Sequence, residues 1–170
     1  MTERFLPVPL DLRWSDQDLL GHVNNARVVT LAEEARVRFQ VHLDGPASLE
    51  GSGAVGGRVV ARQVIDYHRP AHYGVPLEVR VGVLRVGTRS FTLRHQGVQG
   101  DGPVFTVDAV MVMVGPDGSS RALTDAERAG LEEWRWPGGD AGDGPSGEGA
   151  GEGAGATPAA TARATSGDRS

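Results

Sequence analysis

The hydrophobic positions near the start of the chain change their period once, and the change separates a strand from a helix. From Phe5 to Trp14 they alternate loosely, with Val8, Leu10, Leu12 and Trp14 on one side, which predicts a first strand. From Asn25 onward Val28, Leu31, Ala32, Ala35 and Phe39 recur at spacings of three and four. That draws one apolar stripe along an α-helix running to about His42. Glu34 and Arg38 form an i, i+4 pair of favourable orientation on its polar side. Asn24 and Asn25 supply the start signal, and Asp44-Gly45-Pro46 the stop.

A Gly/Ser-rich connection at 45–57 leads into four extended segments, at about 58–68, 77–86, 89–98 and 103–114. Turn chemistry separates them: Pro70-Ala71-His72-Tyr73-Gly74, Val86-Gly87-Thr88 and Gln99-Gly100-Asp101-Gly102. In the second, Leu77, Val79, Val81 and Val83 alternate with Glu78, Arg80, Gly82 and Leu84, as in a half-buried strand. Val104 to Val114 is almost continuously apolar and suits a strand covered on both faces, by helix, second sheet or partner subunit. Thr124-Asp125-Ala126-Glu127 is a capping box, opening a short second helix that ends near Trp136-Pro137. One long amphipathic helix and a set of antiparallel strands predict an α+β fold in which the sheet wraps the helix.

Composition limits how much of the chain can join that core. From Pro137 to Ser170 there is no large apolar side chain, and Gly-Glu-Gly-Ala-Gly-Glu-Gly-Ala-Gly fills 147–155. The expectation is a disordered Gly/Ala-rich tail over 137–170 and one domain over 1–136. No cysteine is present, which excludes disulfides, thiolate metal ligands and a cysteine nucleophile. The expected metal set is empty, and no cofactor is expected beyond the substrate's own groups. A formal charge of −5, with arginines scattered along strands, argues against a nucleic-acid binder. The N-terminus lacks a signal-like apolar run, and nowhere do about eighteen apolar residues follow one another. A soluble cytoplasmic protein without a membrane partner is expected.

The chemistry concentrates between Arg13 and Arg36. Asp18 sits in a turn six residues before Asn24, so a carboxylate and a row of free backbone N–H groups come close together. A helix N-terminus leaves about four such groups unpaired and carries roughly half a positive charge. A carbonyl oxygen resting there is polarised, and the oxyanion of a tetrahedral intermediate is held more tightly still. Asp18 can then act as nucleophile or as general base for water. A carboxylate is a weak nucleophile, so an activated acyl group is called for. A thioester fits best, because its thiol, with a pKa of about 8.5, leaves as thiolate without a strong acid. His22 can position water, bond to Asp18, or simply stabilise the loop. Asp16 reads as a turn residue that caps backbone amides, and Asn24 and Asn25 as caps that present them.

The run Asp18-Leu-Leu-Gly21-His22-Val23-Asn24-Asn25, followed by Glu33-Glu34-Ala35-Arg36, resembles the signature of hot-dog-fold acyl-CoA thioesterases of the 4-hydroxybenzoyl-CoA thioesterase type. Ile65-Asp66-Tyr67-His68-Arg69-Pro70-Ala71, with Tyr73-Gly74, and Val86-Gly87-Thr88-Arg89-Ser90-Phe91 resemble that family's second-strand exit and third hairpin. The match runs over about residues 8–124 in order and spacing. It implies a long central helix wrapped by a five-stranded antiparallel sheet, hydrolysis of an acyl-CoA, and assembly as a homodimer or homotetramer.

By the same resemblance the catalytic aspartate is Asp18 and the polarising amide lies at or beside Asn25, with His22 as a third candidate. Gly21, Val23, Asn24 and Glu33 become candidate substrate contacts from the loop and helix. Val59, Val60, Ala61 and Arg62 would follow the pantetheine arm, and Arg89 and Ser90 would lie near the coenzyme A end. Arg58, Arg69, Arg85 and Arg94 are further candidates for its phosphates. Val28 and Leu31 stand where many relatives carry tyrosines, which implies a smaller or more aliphatic pocket floor. Plant acyl-carrier-protein thioesterases share the Asp…His-Val-Asn-Asn run but carry an asparagine where this chain has Leu20. Hydrolysis on acyl-carrier protein, and acyl-CoA binding without turnover, are the alternative functions.

Overall fold

The computed structural model describes residues 4–46 and 57–138. Its elements are β1 (Leu6–Leu10), α1 (Asn25–Asp44), β2 (Gly57–Tyr67), β3 (Leu77–Val86), β4 (Ser90–Gln99), β5 (Gly102–Val114) and α2 (Asp125–Glu132). The strands form one antiparallel sheet in the order β1-β3-β4-β5-β2. Pro7 and Pro9 lack an N–H to donate, which suits β1 to the sheet edge it occupies. Most of the expected tail lies outside the described residues, from 139 onward. Among the described residues no helix is long and apolar enough to cross a membrane.

The helix lies on one face of the sheet, against β1, β3, β4 and β5. Its stripe is buried as the spacing predicts: Val28, Ala32, Ala35 and Phe39 meet Val79, Val81, Val83, Leu93, Val107, Ala109 and Met111 in one core. β2 reaches α1 at its two ends. Arg58 pairs with Asp44 at the helix C-terminus, and the Tyr67 hydroxyl donates to the Asn25 carbonyl at the N-terminus, 3.3 Å away. Between those ties Val59, Val60 and Val64 are exposed, on a strand bonded along one side to β5.

Two boundaries differ from the sequence expectation. The first strand stops at Leu10, and Trp14–Asp16 form a single 3-10 turn with Trp14 exposed. The Asp16 carboxylate takes the Arg13 N–H at 2.7 Å and its own N–H bonds Arg13 O, so local bonds replace the ladder. The second helix ends at Glu132 instead of near Trp136. Residues 134–136 run extended, with Val83 N donating to Trp134 O and Trp136 N to Val83 O, and prolong the sheet beyond the end of β1. The Trp136 ring then covers Gly82, where a Cβ would lie 2.9 Å from it.

The stripe also hides two polar groups that its spacing does not announce. Arg36 of α1 is buried, with Nη2 donating to Glu33 at 3.1 Å and Nη1 without a partner among the described residues. Beneath it His95, on the central strand β4, is fully buried. Its Nδ1–H donates to Val107 O at 3.0 Å, and Nε2 has no partner among the described residues. Burial holds the His95 pKa down at about 4, and the Arg36 charge acts the same way. The Val107 carbonyl and the more distant Asp108 oppose them only partly.

The folded state therefore contains neutral His95, while the unfolded chain binds its proton near pH 6.5. The resulting stability is complete above pH 6.5 and is lost as the pH falls toward 4. Denaturant titrations of the wild type at pH 7.5 and pH 5 should differ by about 2 kcal/mol through this one group. His95→Gln should remove that share of the pH dependence.

Candidate active site

The loop before α1 is a small hairpin built around Asp18. Gln17 bridges Val23, Asp18 N donates to His22 O at 2.8 Å, and Gly21 N donates to Asp18 O at 3.1 Å. Gly21 closes the turn with φ 76°, which favours a residue without Cβ. Inside the turn Asp18 Oδ1 accepts the Leu20 N–H at 2.8 Å and the His22 N–H at 3.2 Å. Its Oδ2 has no hydrogen bond among the described residues. One oxygen orients the carboxylate and leaves the other unengaged by the described residues.

The helix start is fixed by three further bonds. Val23 N donates to Ala71 O at 2.7 Å, Asn24 N to Asp16 O at 2.8 Å, and the Asn24 side chain accepts Ala26 N–H at 2.9 Å. Arg27 N is satisfied by Asn24 O. Of the first amides this leaves Asn25 N–H without a partner among the described residues, at the positive end of a 20-residue helix. Asp16 does the structural work expected of it: buried, bonded to Arg13 N–H, with Arg27 Nε 3.7 Å from Oδ1.

Asp18, His22, Val23 and Asn25 border one cavity of about 430 Å³. Its other walls are Leu20, Val28, the exit of β2 at Tyr67, His68, Arg69, Pro70 and Ala71, and Val104 and Phe105 of β5. His68 Nε2 lies 2.8 Å from Thr106 Oγ1, and Arg69 is held by the carbonyls of Gln99, Gly102 and Pro103. These hydrogen bonds brace the β2 exit against the β4–β5 turn. His22 reaches Asp18 through its backbone, while its ring stands edge-on to His72 at 5.2 Å.

The other sequence candidates divide sharply. Gly21 and Asn24 shape the loop beside the cavity. Glu33 is exposed, bonded to Arg36 and absent from the cavity wall. Val59, Val60, Ala61 and Arg62 lie on β2 around its bulge, and Arg89 and Ser90 at the start of β4; none borders the cavity. Of the arginines proposed for phosphates, Arg58 is engaged by Asp44, Arg94 by Asp108, Arg69 by carbonyls and Arg89 by Ser120. The side chains of Arg62 and Arg85 are exposed, with no side-chain hydrogen bond or ion pair among the described residues. Of the cavity's remaining walls, Arg69 is a sequence candidate only for phosphate, and Tyr67, His68, Pro70, Ala71, Val104 and Phe105 are not candidates at all. The polar cluster Asp66 to Arg69 just before Pro70 is the signal that marks the first of these stretches.

One long helix laid on a five-stranded antiparallel sheet, with a carboxylate turn at the helix start, defines the hot-dog thioesterase fold. Residues 12–133 match the thioesterase-like superfamily, and the chain belongs to that family. A Bacillus subtilis relative, the uncharacterised protein YsmA, is 32% identical over 124 residues, covering 72% of this chain and 82% of that protein. A Thermus thermophilus thioesterase, solved as a complex with coenzyme A and Zn, is 30% identical with a TM-score of 0.66. That match covers 75% of this chain and 92% of the other. A predicted thioesterase from Bacillus stearothermophilus is 25% identical with a TM-score of 0.70, over 78% of this chain and 97% of that one.

The two aspartates should separate in their effects. Asp16→Ala leaves the Arg13 N–H unpaired, which should cost about 1–2 kcal/mol in thermal or denaturant unfolding. Asp18→Asn retains the Oδ1 acceptor and should change stability by less than about 1 kcal/mol.

Proposed function

We propose that the chain is an acyl-CoA thioesterase of the 4-hydroxybenzoyl-CoA thioesterase type, which hydrolyses an acyl-CoA to free acid and coenzyme A. One observation carries the reading: Asp18 Oδ2 and Asn25 N–H, each without a partner among the described residues, belong to residues bordering the same cavity. The thioester carbonyl lies between them. Its oxygen accepts the Asn25 N–H, and water is delivered to its carbon by Asp18 Oδ2 as general base. The tetrahedral oxyanion gains from the helix end more than the ground-state carbonyl does, and one such donor contributes about 3 kcal/mol. Collapse breaks the C–S bond, and the leaving thiolate takes the proton from Asp18. The solved complex of the Thermus thermophilus thioesterase with coenzyme A supports a coenzyme A thioester as substrate.

A homo-oligomer belongs to the same proposal. The free side of β2 is an eleven-residue edge carrying exposed Val59, Val60 and Val64, a surface that soluble proteins cover or blunt. A second copy paired there would bring β2 residues beside the cavity exit at Tyr67, and with them Arg62 as a cation for the coenzyme A phosphates. Sedimentation should give a dimer or tetramer, and Val60→Lys with Val64→Lys should shift it toward monomer.

Thiol release from a panel of acyl-CoAs tests the chemistry. Asp18→Asn should lower kcat/KM for the best substrate about 100- to 10,000-fold, the range typical of a general base. Equal rates in the wild type and the variant would remove Asp18 from the mechanism. Tight acyl-CoA binding without turnover would instead make the protein a binding module, and preference for acyl-carrier-protein thioesters would move the donor.

A further inference from the structure

We infer that Phe105, seated on Gly97, forms the end wall of the cavity and sets the length of acyl group the site accepts; this rests on the acyl-CoA reading above. Gly97 and Phe105 are cross-strand partners on β4 and β5, on the face that meets α1. A Cβ at Gly97 would come within 2.4 Å of the Phe105 ring at two of its carbons. The ring therefore lies against bare backbone, in a position that any side chain at 97 would deny it. Phe105 borders the cavity yet is only 1% exposed, so the ring fills the volume behind the wall instead of standing in the opening. Tyr67, its partner across β2, borders the same space nearer the helix start.

The remaining inner surface agrees with an uncharged acyl group. Val23, Val28, Ala71 and Val104 are buried and apolar, and the Arg69 guanidinium is occupied by backbone carbonyls. A volume of about 430 Å³ lies toward the lower end of the 300–1,000 Å³ typical of small-molecule sites. A compact acyl chain or a single ring is the class that fits. Chains that outgrow it must displace Phe105, which close packing resists.

The test is calorimetric binding of non-hydrolysable S-alkyl-CoA thioethers of increasing chain length, which reads the cavity independently of turnover. Each methylene that enters should tighten binding about fourfold until the wall is reached, after which the gain stops. Phe105→Leu should move that break to longer chains. Gly97→Ala should force the ring into the cavity and move it to shorter ones. The two opposite displacements cannot come from general loosening, which would weaken all lengths by a common factor. An unchanged break in folded Phe105→Leu, or uniform weakening, overturns the inference. If Gly97→Ala fails to fold, Phe105→Leu decides alone. Chain-length-dependent binding by a wild type that hydrolyses no thioester would remove the hydrolase reading and keep the wall; no binding at any length overturns both.

Discussion

The site depends on the backbone bonds that anchor the turn before α1. Val23 is tied to Ala71, Asn24 to Asp16, and Asp18 to His22, all at 2.7–2.8 Å, over a stretch with little regular structure. Those bonds set where the helix begins and hence which amide lacks a partner. They also hold the Asp18 carboxylate by one oxygen, so its position does not depend on a flexible side chain. In the mechanism we propose, a carboxylate and a helix end that do not consume each other's hydrogen bonds act as a prearranged pair, which is the condition for electrostatic catalysis without reorganisation.

The sheet supplies the rest by bringing distant segments beneath that helix start. The β2 exit and the first residues of β5 reach the cavity because β2 and β5 are neighbours, and Arg69 fastens the exit to the β4–β5 turn. Gly97 then leaves room for the Phe105 ring. The buried Arg36–His95 layer occupies another part of the same helix–sheet contact. Burial of neutral His95 makes that interior sensitive to acid. Polar groups of this kind cost stability and are tolerated where they are partly satisfied, as His95 is by Val107 and Arg36 by Glu33.

Much of this was legible in order and type. The helix from Asn25, its buried stripe, the four later strands and the capping box at Thr124 all follow from local periodicity and caps, which act within a few residues. Asp18, Asn25 and Val23 were also legible as neighbours, because they share one turn. The apolar side chain of Trp14 fits the strand alternation, whereas the Asp16 carboxylate breaks the ladder there. The end of the second helix is not marked locally, because the pairing of 134–136 with Val83 is long-range in sequence. Glu33 and the β2 residues entered by resemblance, and within one chain they do not border the cavity.

The sequence by itself determined the elements, the carboxylate and the helix end that borders the same cavity, since each is decided by residues close along the chain. Tertiary structure alone decided which side chains close the cavity, which arginines are already engaged, and that Arg36 and His95 share the interior. Those outcomes rest on strand order and register, which bring together residues tens of positions apart. A one-residue change of register would turn Phe105 away from Gly97 and the helix, because neighbouring strand residues face opposite sides of the sheet.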